Sequence, residues 1–186
     1  IRGTYTLLDS LRENRKNIKS IIIASSDKAY GEYGLKKMPY KENYQLKPTF
    51  PYDTSKACAD MIAKTYSSKL FKLPIITTRF SNIYGPGQLN FTALIPDLIR
   101  SCILNKKFKM RGDGESIRDY VYIDDIIDVY KLLSKKLYLN PKKYFHSVLL
   151  EMEDENQGYI LMGRGYIDEI NYKAIKGWLW SIAYVV

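Results

Sequence analysis

Tyr52 and Lys56 stand four residues apart in Pro51-Tyr52-Asp53-Thr54-Ser55-Lys56-Ala57-Cys58-Ala59-Asp60, a stretch that reads as the first turns of a helix. Positions i and i+4 share a helix face, so the phenol and the ammonium can serve one site. A phenol titrates near ~10 in water, and an ammonium at ~4 Å in a partly desolvated site offers roughly the 4 kcal/mol needed to bring the phenolate into use near neutrality. Tyr52 would then be a general base, with Lys56 as its electrostatic partner. Taken alone, the pair is also what a solvated helix start looks like in a chain with 17 tyrosines, so its neighbours decide. The nearest polar cluster upstream is Ser25-Ser26-Asp27-Lys28, which closes an apolar run.

These residues need elements to hold them. Ser20-Ile21-Ile22-Ile23-Ala24-Ser25-Ser26 is the β-branched run expected of a strand covered on both faces, and in open α/β sheets ligands bind at the carboxyl ends of strands. Leu7, Leu8 and Leu11 within Thr4 to Arg15 predict an amphipathic helix. Pro51 and a capping Asp53 predict a helix from Tyr52 to about Phe71. Leu73 to Phe80 reads as a second strand, also ending in polar residues, and Tyr84-Gly85-Pro86-Gly87 as a turn. Phe91 to Asn105 predicts a helix with Leu94, Ile95, Leu98, Ile99 and Ile103 facing inward and Pro96 near its start. Phe108 to Arg111 is a candidate short strand, Arg118 to Ile123 a further strand, and Asp124-Asp125 open a last helix to about Lys135. Tyr159 to Met162 is another possible strand, Glu151 to Gly158 an acidic loop and Trp178 to Val186 an apolar tail. The alternation of strand and helix makes the fold α/β with a largely parallel sheet.

At 186 residues and 46% apolar, the chain can build one domain with a real core. The net charge of +9 is spread among acidic residues without an arginine-rich run, which argues against nucleic acid and leaves an anionic small ligand or a basic surface. Cys58 and Cys102 lack metal-ligand spacing, and with one histidine, His146, no metal site is expected. Free thiols fit the reducing cytosol, so the expected location is cytoplasmic. No run is long and apolar enough to span a bilayer, so no membrane partner is expected.

The strand-end serines, Tyr52 and Lys56 one loop later, and Arg79-Phe80-Ser81-Asn82-Ile83-Tyr84-Gly85-Pro86-Gly87 together resemble the extended short-chain dehydrogenase/reductase family, the NAD-dependent nucleotide-sugar epimerases and dehydratases, over residues 1 to about 136. Ser26-Asp27-Lys28 followed by Tyr30-Gly31, with Asn82 to Phe91, is most similar to its CDP-glucose 4,6-dehydratase branch. The resemblance implies a partial NAD-binding, Rossmann-like, doubly wound parallel sheet truncated at the N-terminus. It implies NAD rather than NADP as cofactor, a nucleotide-diphosphate sugar as substrate, and a homodimer for the full-length parent. Tyr52 would take the proton of the sugar 4-hydroxyl as the C4 hydride passes to NAD, Lys56 would activate the phenol and hold the nicotinamide ribose, and Ser26 would hydrogen-bond the same hydroxyl. Asp27 would protonate the departing 6-hydroxyl and Lys28 would remove the C5 proton, a division of acid and base work that burial can create. Ser25, Arg79, Phe80 and Asn82 would join Tyr52 and Lys56 around the cofactor. Asn82 and Arg118 would hold the diphosphate, with Ser26 completing the substrate contacts.

The family's glycine-rich pyrophosphate turn is absent, and Gly163-Arg164-Gly165 reads as a loop turn. The expectation is therefore a fragment that begins inside a longer chain. Residues 1 to 140 would be the C-terminal part of the NAD-binding catalytic domain with parts of the substrate-binding region, and 141 to 186 a divergent segment. Alone it is expected to be inactive. The alternatives are a nucleotide-sugar 4-epimerase, which turns on Asp27 and Lys28, and a catalytically silent binding or oligomerisation module, which turns on NAD binding.

Overall fold

Ile21, Ile22 and Ile23 make β1 (Ile21–Ala24), and Ile75, Ile76, Thr77 and Thr78 make β2 (Ile75–Thr78). The two pair in parallel, Ile21 opposite Ile75 through to Ala24 opposite Thr78. The computed structural model describes residues 1–34, 40–109, 112 and 119–139. Parallel neighbours require a crossover, supplied here by the helix α2 (Pro51–Ser67).

Successive side chains of a strand point to opposite faces, and both faces of this pair are covered. Ile21, Ile23 and Ile75 pack with Leu8 of the helix α1 (Arg2–Glu13) and with Ala63 and Tyr66 of α2. On the other face Ile76 and Phe80 pack against Ile126, Val129, Leu133 and Leu137, the buried stripe of the helix α4 (Ile123–Leu139). Each fully buried aliphatic side chain here contributes about 1.5–3 kcal/mol relative to exposure. The small side chains of Ala57, Ala59 and Ala63 are buried and let α2 lie close to the sheet and to the 3₁₀ turn Asp27–Tyr30 that follows β1. A second parallel pair joins β3 (Asn82–Tyr84) to β4 (Tyr120–Tyr122), with Asn82 opposite Tyr120. Among the described residues the parallel sheet thus consists of two two-stranded pairs.

Several expectations are corrected. Asp53 does not cap α2: Phe50 occupies the N-cap without a side-chain bond, Pro51 is the first helical residue, and Asp53 sits buried in the first turn, where its charge complements the helix dipole. α2 stops at Ser67, because Ser68 is extended and its hydroxyl takes the Leu70 N–H at 3.3 Å, competing with the helical pattern. The helix α3 (Leu94–Ile103) forms with Pro96 in its first turn, but the expected inward face is only partly covered: Ile95 and Leu98 are half-buried, while Leu94, Ile99 and Ile103 are 43%, 53% and 78% exposed. Burial depends on what covers a face as well as on its periodicity, and no described element fully covers this one. Phe108 and Lys109 are not in a strand. Arg118, His146, the Gly163–Gly165 stretch and the elements expected beyond residue 140 lie outside the described residues.

Candidate active site

β1 ends beside β2, with Ser25 N–H donating to the Thr78 carbonyl at 2.8 Å and Asp27 N–H to the Phe80 carbonyl at 3.2 Å. Ser26 is extended, with φ −157° and ψ 154°, and caps the following turn, its hydroxyl accepting the Lys28 N–H at 3.3 Å. The Asp27 carboxylate then receives two donors: Ser26 Oγ on Oδ1 at 2.9 Å and Lys28 Nζ on Oδ2 at 2.7 Å. Asp27 is largely buried and Lys28 is half-buried, so the pair is open to solvent on the lysine side. Gly31 ends the turn with φ 71° and ψ −154°, a conformation essentially reserved for glycine, and a Cβ there would lie 1.8 Å from the Lys47 carbonyl oxygen.

α2 enters the same place from the side. Lys56 Nζ donates to the Ala24 carbonyl at 3.0 Å, and Ser25 Oγ donates to the Lys56 carbonyl at 3.2 Å. The ammonium lies 5.8 Å from the Tyr52 ring centroid, so the two side chains do face one site. Tyr52 is 57% exposed. Solvent screens the pair in this state, since two unit charges at 4 Å interact by only about 1 kcal/mol in water and several times more when desolvated.

Two residues expected around the cofactor have their side chains turned inward. Arg79 is only 4% exposed, and its guanidinium is turned inward: Nε and Nη2 donate to Asp60 at 2.6 and 2.9 Å, and Nη1 donates to the Tyr30 hydroxyl at 2.5 Å. An isolated guanidinium could not be buried here without its charge being matched, which is what Asp60 does. Phe80 is likewise a core side chain, tilted against Tyr130 with ring centroids 5.7 Å apart. Asn82 stands at the mouth of the site, but its amide donates to the Asp119 carbonyl at 3.0 Å and so fastens the start of β4.

Asp119 brings a third carboxyl to this region. Burial pushes it up to about 6 from the ordinary 3.8, the Asp27 charge pushes the same way, and Lys28 opposes both. Tyr30 is pushed up to about 12, chiefly by burial, with Arg79 opposing. It is a packing residue, stacked on Tyr40 with centroids 4.8 Å apart. Among the described residues no group of three or more His, Cys, Asp or Glu side chains could hold a metal ion, and no helix is long and apolar enough to cross a membrane.

Comparison with known proteins bears on the whole arrangement. The family model described as the NAD dependent epimerase/dehydratase family matches residues 1–144. The chain belongs to that family. This epimerase/dehydratase chain is 36% identical over 145 residues to a dTDP-D-glucose 4,6-dehydratase of Dictyostelium discoideum, covering 73% of this chain and 32% of that protein. It is 32% identical over 143 residues to a dTDP-glucose 4,6-dehydratase of Haemophilus influenzae, covering 73% of this chain and 42% of the relative. It thus spans well under half the length of these curated relatives. Among solved structures it resembles a Bacillus anthracis dTDP-glucose 4,6-dehydratase in complex with NAD, with a TM-score of 0.63 at 34% identity over 78% of this chain and 44% of that one. It also resembles a UDP-N-acetylglucosamine 4-epimerase of Methanobrevibacter ruminantium, with a TM-score of 0.70 at 25% identity over 87% and 48% of the respective chains.

Within this epimerase/dehydratase chain, Ser25, Ser26, Asp27, Lys28, Tyr52, Lys56 and Asn82 gather at one end of the parallel strands, while Arg118 lies outside the described residues. Sequence reasoning missed Asp60 and Asp119. Asp60 had a usable signal, since it lies one helical turn beyond Lys56 and two beyond Tyr52, a place where a buried acid needs a cation.

Proposed function

We propose that the full-length protein is an NAD-dependent nucleotide-sugar 4,6-dehydratase, and the observation that carries this reading is the Asp27–Lys28 pair, 2.7 Å apart at the end of β1 beside Lys56. The donor set suits the nicotinamide-ribose end of a dinucleotide: an ammonium and a serine hydroxyl at the mouth of a parallel pair, with a phenol exposed next to them. When bound, NAD supplies a reversible hydride acceptor for sugar C4. Tyr52, held as the phenolate by Lys56 as the ligand displaces water, accepts the 4-hydroxyl proton and becomes a phenol, and Ser26 orients the hydroxyl.

The acid and base of the elimination are then one ion pair. Moving a single proton across the Lys28–Asp27 bond gives a neutral amine and a carboxylic acid, the base and the acid that the elimination needs. The amine takes the C5 proton, the acid protonates O6, the C6–O6 bond breaks and water leaves. Lys28 is then an ammonium and Asp27 a carboxylate; the ammonium returns a proton to C5 as the hydride taken from C4 would return to C6, and the proton left on Tyr52 restores the Lys28 ammonium through solvent. Asn82 and Arg118 hold the diphosphate.

The curated relatives are named for dTDP- and UDP-glucose. Lys28 is the feature shared with the CDP-glucose branch, so CDP-glucose is the proposed substrate. The test incubates the full-length protein with NAD and dTDP-, UDP- or CDP-glucose in deuterium oxide. A 4-keto-6-deoxy sugar carrying deuterium at C5 is expected, fastest from CDP-glucose. A 4-epimer without loss of water would instead support the epimerase reading, which the resemblance to the 4-epimerase structure favours. We also propose a homodimeric, cytoplasmic enzyme, in keeping with the exposed Tyr5 and Leu7 on α1 and Met61 on α2, to be checked by sedimentation and cell fractionation. Residues 1–140 are proposed to complete a catalytic domain, with 141–186 a separate segment.

A further inference from the structure

We propose that Arg79 is a positioning residue that locks the helix bearing Tyr52 and Lys56 onto the turn bearing Asp27 and Lys28. This rests on the dehydratase reading for its consequence in catalysis, though not for its geometry. Three pieces of chain meet at one buried guanidinium. Arg79 follows β2 directly; Asp60 lies on α2, on the face of Tyr52 and Lys56; Tyr30 is the last residue of the Asp27–Tyr30 turn. The fork takes both carboxylate oxygens of Asp60 at 2.6 and 2.9 Å, and its remaining amine takes the Tyr30 hydroxyl at 2.5 Å.

Each bond fixes something different. The two bonds to Asp60 define the plane of the guanidinium and hence the rotation of α2, a constraint that a single point charge such as lysine could not impose. The guanidinium also lies 4.8 Å from the Tyr30 ring centroid, so the turn is held by hydroxyl and ring together. Tyr30 is fully buried and stacked on Tyr40, which leaves the turn little freedom to shift. Of the other links between α2 and the end of β1, Lys56 Nζ to Ala24 is exposed and must loosen if the ammonium is to hold a ligand, which leaves the single, partly buried bond from Ser25 Oγ to the Lys56 carbonyl. Arg79 therefore carries the registry between proton acceptor and acid/base pair during turnover. A buried ion pair is weak evidence for stability, because well-packed apolar residues often replace it without loss. That is the contrast the test uses.

The experiment compares wild-type full-length protein with Arg79→Lys, which keeps the charge and loses the fork, and with the volume-matched double variant Asp60→Leu/Arg79→Met. Melting temperature, kcat, KM for the nucleotide sugar, and amide hydrogen exchange at Ala29 and Gly31, which donate to the Ser26 and Lys28 carbonyls at 3.0 Å, are read in each. Expected is a double variant that melts near wild type, with kcat lowered about 10²-fold and KM little changed, and with Ala29 and Gly31 exchanging about tenfold faster. Wild-type kcat in either folded variant would overturn the proposal. If the double variant does not fold, Arg79→Lys decides by the same readings. If wild type forms no 4-keto-6-deoxy sugar, the dehydratase reading has failed on its own. Positioning is then judged by exchange alone, where unaltered protection of Ala29 and Gly31 overturns it.

Discussion

Replacing Asp119 by asparagine removes a carboxyl that the fold holds mostly protonated in the acid range, and the effect on stability must therefore change with pH. The carboxyl titrates at about 6 against an ordinary 3.8, first because it is buried and next because Asp27 is near, with Lys28 opposing. Roughly two units at ~1.4 kcal/mol each would give about 3 kcal/mol. Asp119 keeps partial access to water, and screening reduces this to about 1–2 kcal/mol. The sign follows from proton binding: the folded chain holds this proton more tightly than the unfolded chain. The stability it lends is complete below 3.8 and is lost as pH rises through about 6. Asparagine has no such loss. The stability of Asp119→Asn relative to wild type should rise by about 1–2 kcal/mol between about pH 4 and about pH 7.5, read from urea unfolding at constant ionic strength. In a Lys28→Ala background the opposing charge is gone and the increment should grow. A difference that is flat with pH, or that shrinks toward neutrality, would refute the burial of this carboxyl.

Other consequences are more direct. Gly31→Ala must relieve a 1.8 Å approach to the Lys47 carbonyl and a φ of 71°, so it should destabilise by more than the ~1–3 kcal/mol of such backbone strain, seen in denaturant unfolding, and wild-type stability would contradict the turn geometry. Leu133→Ala, at a side chain 1% exposed under the sheet, should lower stability by about 2–5 kcal/mol without a change in m-value, whereas a loss below that range would mean that α4 does not cover the strands as described. Lys28→Ala should still reduce bound NAD with nucleotide-glucose present but exchange C5 with solvent deuterium about 10²- to 10⁴-fold more slowly, and undiminished exchange would exclude Lys28 as the base.

Elements whose signals are local were readable from the chain. The isoleucine run of β1, the Pro51 start of α2 and the 3- and 4-residue spacing of Ile126, Val129, Leu133 and Leu137 each carry their own instruction, and each element forms within a few residues of its expected place. The gathering of Ser26, Asp27, Lys28, Tyr52 and Lys56 was also legible, because strand ends and helix starts in a parallel α/β unit converge at one edge. What depended on distant partners was not. The resemblance implies Arg79 at the cofactor, and no local pattern shows that Asp60, nineteen positions earlier on α2, draws its guanidinium inward. The apolar face of α3 has the spacing of a buried helix, and only the surroundings reveal that the described residues leave Leu94, Ile99 and Ile103 exposed. Asp119 owes its raised titration to burial and to Asp27, a neighbour that no local pattern in Arg118-Asp119-Tyr120 announces.

Tyr52, beside Lys56 near the end of β1, is the proposed proton acceptor that starts the reaction. That role is tested most directly by first-turnover reduction of bound NAD in the full-length protein and its Tyr52→Phe variant, with nucleotide-glucose binding measured separately. Wild type should reduce and then reoxidise the cofactor as the 4-keto-6-deoxy sugar forms, and Tyr52→Phe should bind the sugar nearly as well but reduce the cofactor about 10²- to 10⁴-fold more slowly. Reduction at the wild-type rate in Tyr52→Phe would exclude Tyr52 as the proton acceptor.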